Sequence, residues 1–76
     1  MNALISELAL LARVNRKLTP RNSQLKRCQP GSRHYEERGH FYHTDLATGR
    51  VLADHLDIEA FAREVGALRD WEALER

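Results

Sequence analysis

Residues 39–68 read GHFYHTDLATGRVLADHLDIEAFAREVGAL, and this stretch decides the fold. At its centre, Asp45-Leu46-Ala47-Thr48-Gly49-Arg50 is a turn. The Asp45 side chain can accept a hydrogen bond from the backbone two residues on, and Gly49 supplies a positive φ without the penalty of a Cβ. Strand-favouring residues flank the turn, Phe41 to Thr44 before it and Val51 to Ala53 after it. The pattern predicts an antiparallel β-hairpin over about 39–45 and 50–55, closed by a loop of about four residues. Phe41 and Tyr42 are adjacent, so their side chains leave the strand on opposite faces.

The second strand runs into a helix predicted over 58–65. Asp57 is its N-cap: a carboxylate there takes a free backbone N–H and sits at the positive end of the helix dipole. Ile58, Phe61, Ala62 and Val65 follow at i, i+3, i+4 and i+7 and make one apolar face. Glu59 and Arg63, at i and i+4, are placed to pair on another face. Gly66 stops the helix in the left-handed conformation, and Leu68 folds back onto it.

Toward the N-terminus, Ala3 to Leu18 contains neither Gly nor Pro and is rich in Leu and Ala, which predicts a long helix capped by Asn2. Leu4, Leu8, Leu11, Asn15, Leu18, Asn22 and Leu25 alternate spacings of four and three, a heptad-like seam with Asn at two positions. Asn at such positions fixes register between paired helices. Thr19-Pro20 interrupts the pattern. Either one helix kinks there, or it breaks into helices over about 2–18 and 20–28. Gln29-Pro30-Gly31-Ser32 is a linker. Residues 33–38 read as loop or a short irregular strand, with Tyr35 packed. Near the C-terminus, residues 70–74 predict a short helical turn with Trp71 and Leu74 on one side.

The fold class is therefore α+β, in one small domain: a helical arm over 1–28 and a hairpin–helix unit over 33–76. A lone hairpin is marginal in water, so the flanking helices must cover it. With 76 residues and a single cysteine, the chain has a small core and no internal disulfide. Self-association or a metal ion could supplement that core.

Charge is unevenly spread. Residues 1–38 carry eight Lys/Arg and three Asp/Glu, whereas residues 39–76 carry four and eight. From Arg13 to Arg33 there are seven bases and no acid. Arg13, Arg16, Lys17, Arg27 and Arg33 are the candidate nucleic-acid contacts. Leu4, Leu8, Leu11, Leu18 and Leu25 are the candidate self-association surface. Cys28, His34, His40, His43 and His55 are the candidate metal ligands, although their spacing lacks the close pairs of the common zinc frameworks. Nothing orients Cys28 and His34 as nucleophile and base, and the four glycines are isolated rather than grouped in a phosphate loop.

The functional expectation is thus a non-enzymatic interaction module without a cofactor. It self-associates through the leucine-bearing helix as a homodimer, or docks on a partner protein. Nucleic-acid binding by the basic face of residues 13–33 stands second, and a small metal-binding protein third. Glu7 precedes the short apolar run Leu8 to Ala12 and no basic segment leads it, so the expectation is a cytoplasmic protein with no signal peptide and no membrane span.

Overall fold

The computed structural model describes residues 3–75. The hairpin forms where the turn residues place it: β3 spans Phe41–Asp45 and β4 spans Val51–Ala53. Asp45 Oδ1 accepts from the Ala47 N–H at 3.3 Å, Asp45 Oδ2 accepts from the Thr48 hydroxyl at 2.8 Å, and Gly49 has φ +74°. His43 pairs with Ala53 and Thr44 with Val51, so Leu52 is an extra residue and bulges β4. The next helix, here α3, spans Ile58–Glu64; the Asp57 side chain caps it by accepting from the Glu59 N–H at 3.1 Å. Gly66 follows with φ +80° and Leu68 is buried.

The N-terminal part differs from its expectation. The long helix, α1, is Glu7–Leu18, capped by Ser6, whose Oγ accepts from the Ala9 N–H at 3.2 Å. The proposed Asn2 cap lies outside the described residues. Ala3–Ile5, expected in the helix, form β1 and pair in parallel with β5, Glu72–Leu74. The helical turn expected near the C-terminus is thereby corrected to a strand. Trp71 and Leu74 do not share a side: Leu74 is in the core and Trp71 is 55% exposed.

The chain breaks rather than kinks at Pro20. Thr19–Arg21 tighten into one 3-10 turn, and Asn22 turns left-handed with φ +56°. The second helix expected over 20–28 is instead β2, Ser23–Arg27, antiparallel to β3. The expected helical arm over 1–28 therefore supplies one strand to each sheet. Pro lacks the N–H that would continue the helix, and the left-handed Asn22 redirects the chain along the open edge of the hairpin. The Asn22 carbonyl also accepts from the Leu46 N–H at 2.9 Å, which ties this turn to the hairpin tip. Between β2 and β3, Tyr35–Arg38 form a single helical turn, α2, where loop or irregular strand was expected.

The result is a three-stranded antiparallel sheet in the order β2-β3-β4 and a separate parallel pair, β1-β5. Helix α1 packs on β2 and α3. Its buried face is Leu10, Val14 and Leu18, joined in the core by Leu25, Phe41, Ile58, Ala62 and Leu68. Phe61 and Val65 pack at its edge. Phe41 is buried, whereas Tyr42 faces the other way under the Arg38 guanidinium, 5.0 Å from the ring centroid. The heptad seam dissolves in this arrangement, because Leu4 and Leu25 lie on strands and Asn15 has a different task. Its amide oxygen accepts from the Leu25 N–H at 2.7 Å and its amide nitrogen donates to the Leu25 carbonyl at 3.1 Å. Asn15 fixes register between a helix and a strand rather than between two helices.

Asn15→Ala removes both bonds and leaves two backbone groups unpaired at a partly buried site, so it is expected to cost about 2–3 kcal/mol. Asp57→Ala, which removes one exposed cap, is expected to cost about 1 kcal/mol. Urea denaturation of the two variants beside the parent checks the order. Equal losses would show that the Asn15 bridge adds nothing beyond a single cap.

Candidate functional site

Arg13, Arg16 and Lys17 stand at i, i+3 and i+4 on the C-terminal half of α1, so they share one helix face. Three cations near a helix C-terminus also meet the favourable end of its dipole. Opposite them runs the connection from α3 to β5. Together these elements line a concave site of about 320 Å³, bounded by Arg13, Arg16, Lys17, Gly66, Ala67, Arg69 and Glu72. Four of those side chains are cationic and one is anionic.

The connection is pinned in place. Arg63 on α3 donates through Nη1 to the Arg69 carbonyl at 3.1 Å and through Nη2 to the Glu72 carbonyl at 2.9 Å. Its expected partner, Glu59, is 4.0 Å away, and Glu59 itself accepts from the Leu74 N–H at 2.7 Å. Both residues of the predicted pair therefore serve the C-terminal segment. Among the described residues, Glu72 is the only acid lining the site, and both its oxygens are engaged. One accepts from the Arg13 guanidinium at 2.8 Å and the other from the Arg69 N–H at 3.0 Å. These bonds, that from Arg13 first, hold its carboxyl below the usual glutamate range. Among the described residues, Arg16 and Lys17 pair with no carboxylate. The Arg69 guanidinium lies over the exposed Trp71 ring, 5.4 Å from its centroid. The concavity thus offers Arg16, Lys17 and Arg69 to an anion, beside an open aromatic surface.

Three of the five expected nucleic-acid contacts meet here. Arg27 does not line this site; it sits on β2 and pairs with Glu7 at 3.4 Å. Arg33 is exposed in the linker after β2, away from the lining. Arg69, Trp71 and Glu72 escaped the sequence reading, because their place depends on the β1–β5 pairing and no local pattern announces it.

The other candidate groups are dispersed. Leu18 and Leu25 are each 1% exposed and belong to the chain's own core, and Leu11 packs at its edge. Leu4 and Leu8 are 63% and 71% exposed. Cys28 is buried. His34 stands 3.8 Å from Glu37 and His40 3.6 Å from Glu7. His43 lies against Phe61, ring centroids 5.3 Å apart, and its Nε2 is buried without a hydrogen-bond partner. Burial first, then the charge of Arg21, lowers its pKa. Among the described residues, no group of three or more His, Cys, Asp or Glu could hold a metal ion, and no helix is long and apolar enough to cross a membrane.

His55 adopts an unusual backbone for a non-glycine residue, φ +51°, and closes over Gly39, where a Cβ would stand 2.8 Å from the His55 Cα. Its Nδ1 donates to Asp54 Oδ1 at 3.0 Å and its Nε2 to the Glu36 carbonyl at 3.2 Å. Both partners are acceptors, so only the doubly protonated ring satisfies both. The bond to Asp54 is the main cause that raises its pKa.

No protein-family model, curated protein or solved structure matches this chain.

Two pH dependences follow from these groups. Glu72 is held below the ordinary value of 4.5, so its stabilisation is complete above that value and is lost as pH falls through the lower folded-state pKa. Glu72→Gln is expected to flatten the acid limb of the stability profile below pH 4.5. His55 is held above 6.5, so its contribution is complete below that value and lost as pH rises through the higher folded-state pKa. His55→Asn keeps a side chain that tolerates the left-handed backbone. Its deficit against the parent, measured by urea denaturation, is expected to shrink between slightly acidic and alkaline pH. A deficit independent of pH would assign the residue a steric role alone.

Proposed function

We propose that this chain is a non-enzymatic, cytoplasmic nucleic-acid-binding protein that grips the phosphate backbone between α1 and the α3–β5 connection. The observation that carries this reading is the convergence of Arg13, Arg16, Lys17 and Arg69 on one concave site where, among the described residues, the one carboxylate, Glu72, is already engaged. With Glu72 taken up by Arg13, the remaining cations Arg16, Lys17 and Arg69 attract phosphate at long range and release its counterions on contact. Arg presents a planar fork suited to phosphate oxygens, and Lys adds a flexible point charge. Because such contacts carry no sequence information, the binding is expected to be general rather than sequence-specific.

Fluorescence anisotropy with labelled oligonucleotides across a salt series tests the reading. Affinity is expected to fall as salt rises, with a logarithmic slope of roughly −2 to −3 for three phosphate contacts. Arg16→Ala combined with Lys17→Ala is expected to weaken binding and to reduce that slope by roughly 1.4 to 1.8. Absence of binding at low salt, where the attraction is strongest, would refute it.

Self-association remains as a second reading, carried by Leu4 and Leu8 at 63% and 71% exposure. It no longer draws on Leu18 or Leu25, which the core consumes. Light scattering at micromolar concentration decides it: a mass above 8.8 kDa supports it, and a clean monomer removes it.

A further inference from the structure

We infer that the bound nucleic acid is single-stranded and that Trp71 receives one of its bases. This rests on the nucleic-acid reading above and specifies its ligand. Trp71 is the only tryptophan of the chain, yet it contributes nothing to the core and leaves 55% of itself exposed. It is nevertheless held in place. Its carbonyl accepts from the Ala3 N–H at 2.8 Å, and Arg63 clamps the carbonyls of Arg69 and Glu72 on either side. A large ring, more than half exposed with the Arg69 guanidinium over it, on a fixed backbone is a platform rather than a loose end.

The platform adjoins the cations. Arg69 lines the concave site and lays its guanidinium over the ring, so it bridges phosphate pocket and aromatic surface. A strand with its phosphates at Arg16, Lys17 and Arg69 therefore passes beside Trp71. In a duplex each base is stacked on its neighbours and offers no free π-face. An unpaired base does, and stacking of it on an aromatic ring is indifferent to sequence. The basic face of α1 is also bordered by Gly66, Ala67, Arg69 and Glu72, a concave setting unlike the protruding helix that enters a major groove.

Because Trp71 is the sole tryptophan, its intrinsic fluorescence reads the site directly in the intact protein. Single-stranded RNA and DNA of about a dozen nucleotides, and the matching duplexes, are titrated at low salt while anisotropy and tryptophan emission are followed together. The expected result is quenching of Trp71 by single strands, and tighter binding of single strands than of duplex. Trp71→Ala is expected to lose about 5- to 150-fold in affinity for single strands, and Trp71→Phe to keep most of it. Binding of single strands with unchanged Trp71 emission, or duplex bound as tightly as single strands, overturns the inference while leaving nucleic-acid binding in place. Failure of every oligonucleotide to bind overturns both.

Discussion

The amide of Asn15 meets the backbone of Leu25, donating to its carbonyl and accepting from its N–H. Both groups of Leu25 face away from β3, since β2 uses the alternate residues to pair with it. The asparagine side chain therefore stands where a further strand would otherwise have to be. It completes the sheet edge and at the same time fixes how α1 lies against β2. The apolar contact of Leu10, Val14 and Leu18 with Leu25 supplies the driving force, but hydrophobic contact has no direction. A pair of hydrogen bonds has one, and it selects a single register of helix on strand. In a chain this small, with no disulfide and little apolar surface to bury, that restraint matters more than it would in a large domain.

The position of α1 in turn sets the position of the site. Its apolar face turns to the core, so Arg13, Arg16 and Lys17 turn toward the α3–β5 connection. That connection is drawn in from the other side, by pairing of β5 with β1 and by the two bonds from Arg63. The Glu72 carboxylate joins the halves by bonding both Arg13 and the Arg69 backbone. One carboxylate thus stabilises the closure of the molecule and leaves the neighbouring cations uncancelled. The basic N-terminal half and the acidic C-terminal half compensate one another only in part at this site. Arg13 finds Glu72, while Arg16, Lys17 and Arg69 leave a local excess of positive charge. The same closure leaves Trp71 outside the core and beside that charge.

Local chemistry made much of the fold legible in advance. The hairpin over 41–53 follows from Asp45 and Gly49, which satisfy their turn with their own side chain and φ. Helix α3 follows from the Asp57 cap and the Gly66 stop. Pro20 marks an interruption after Leu18, but the sequence leaves kink and break equally open. In each case the cause and its effect lie within a few residues. The errors share an opposite cause. Ala3–Ile5 and Glu72–Leu74 are strands only because each finds the other at the far end of the chain. Residues 23–27 look helical by spacing, yet the edge of β3 claims them. The leucine spacing itself misled, since Leu18 and Leu25 reach the same core from a helix and a strand.

The candidate site divides along the same line. The sequence by itself determined that Arg13, Arg16 and Lys17 share a helix face, because 3.6 residues per turn bring positions three and four apart together. It likewise determined a mixed α+β chain with a capped C-terminal helix. Only the tertiary structure decided that Arg69 joins those three, that Glu72 is spent on Arg13, that Trp71 stays open, and that Arg27 is diverted to Glu7. These outcomes depend on contacts between segments far apart in the chain, where the partner of each residue is set by packing and not by its neighbours in sequence.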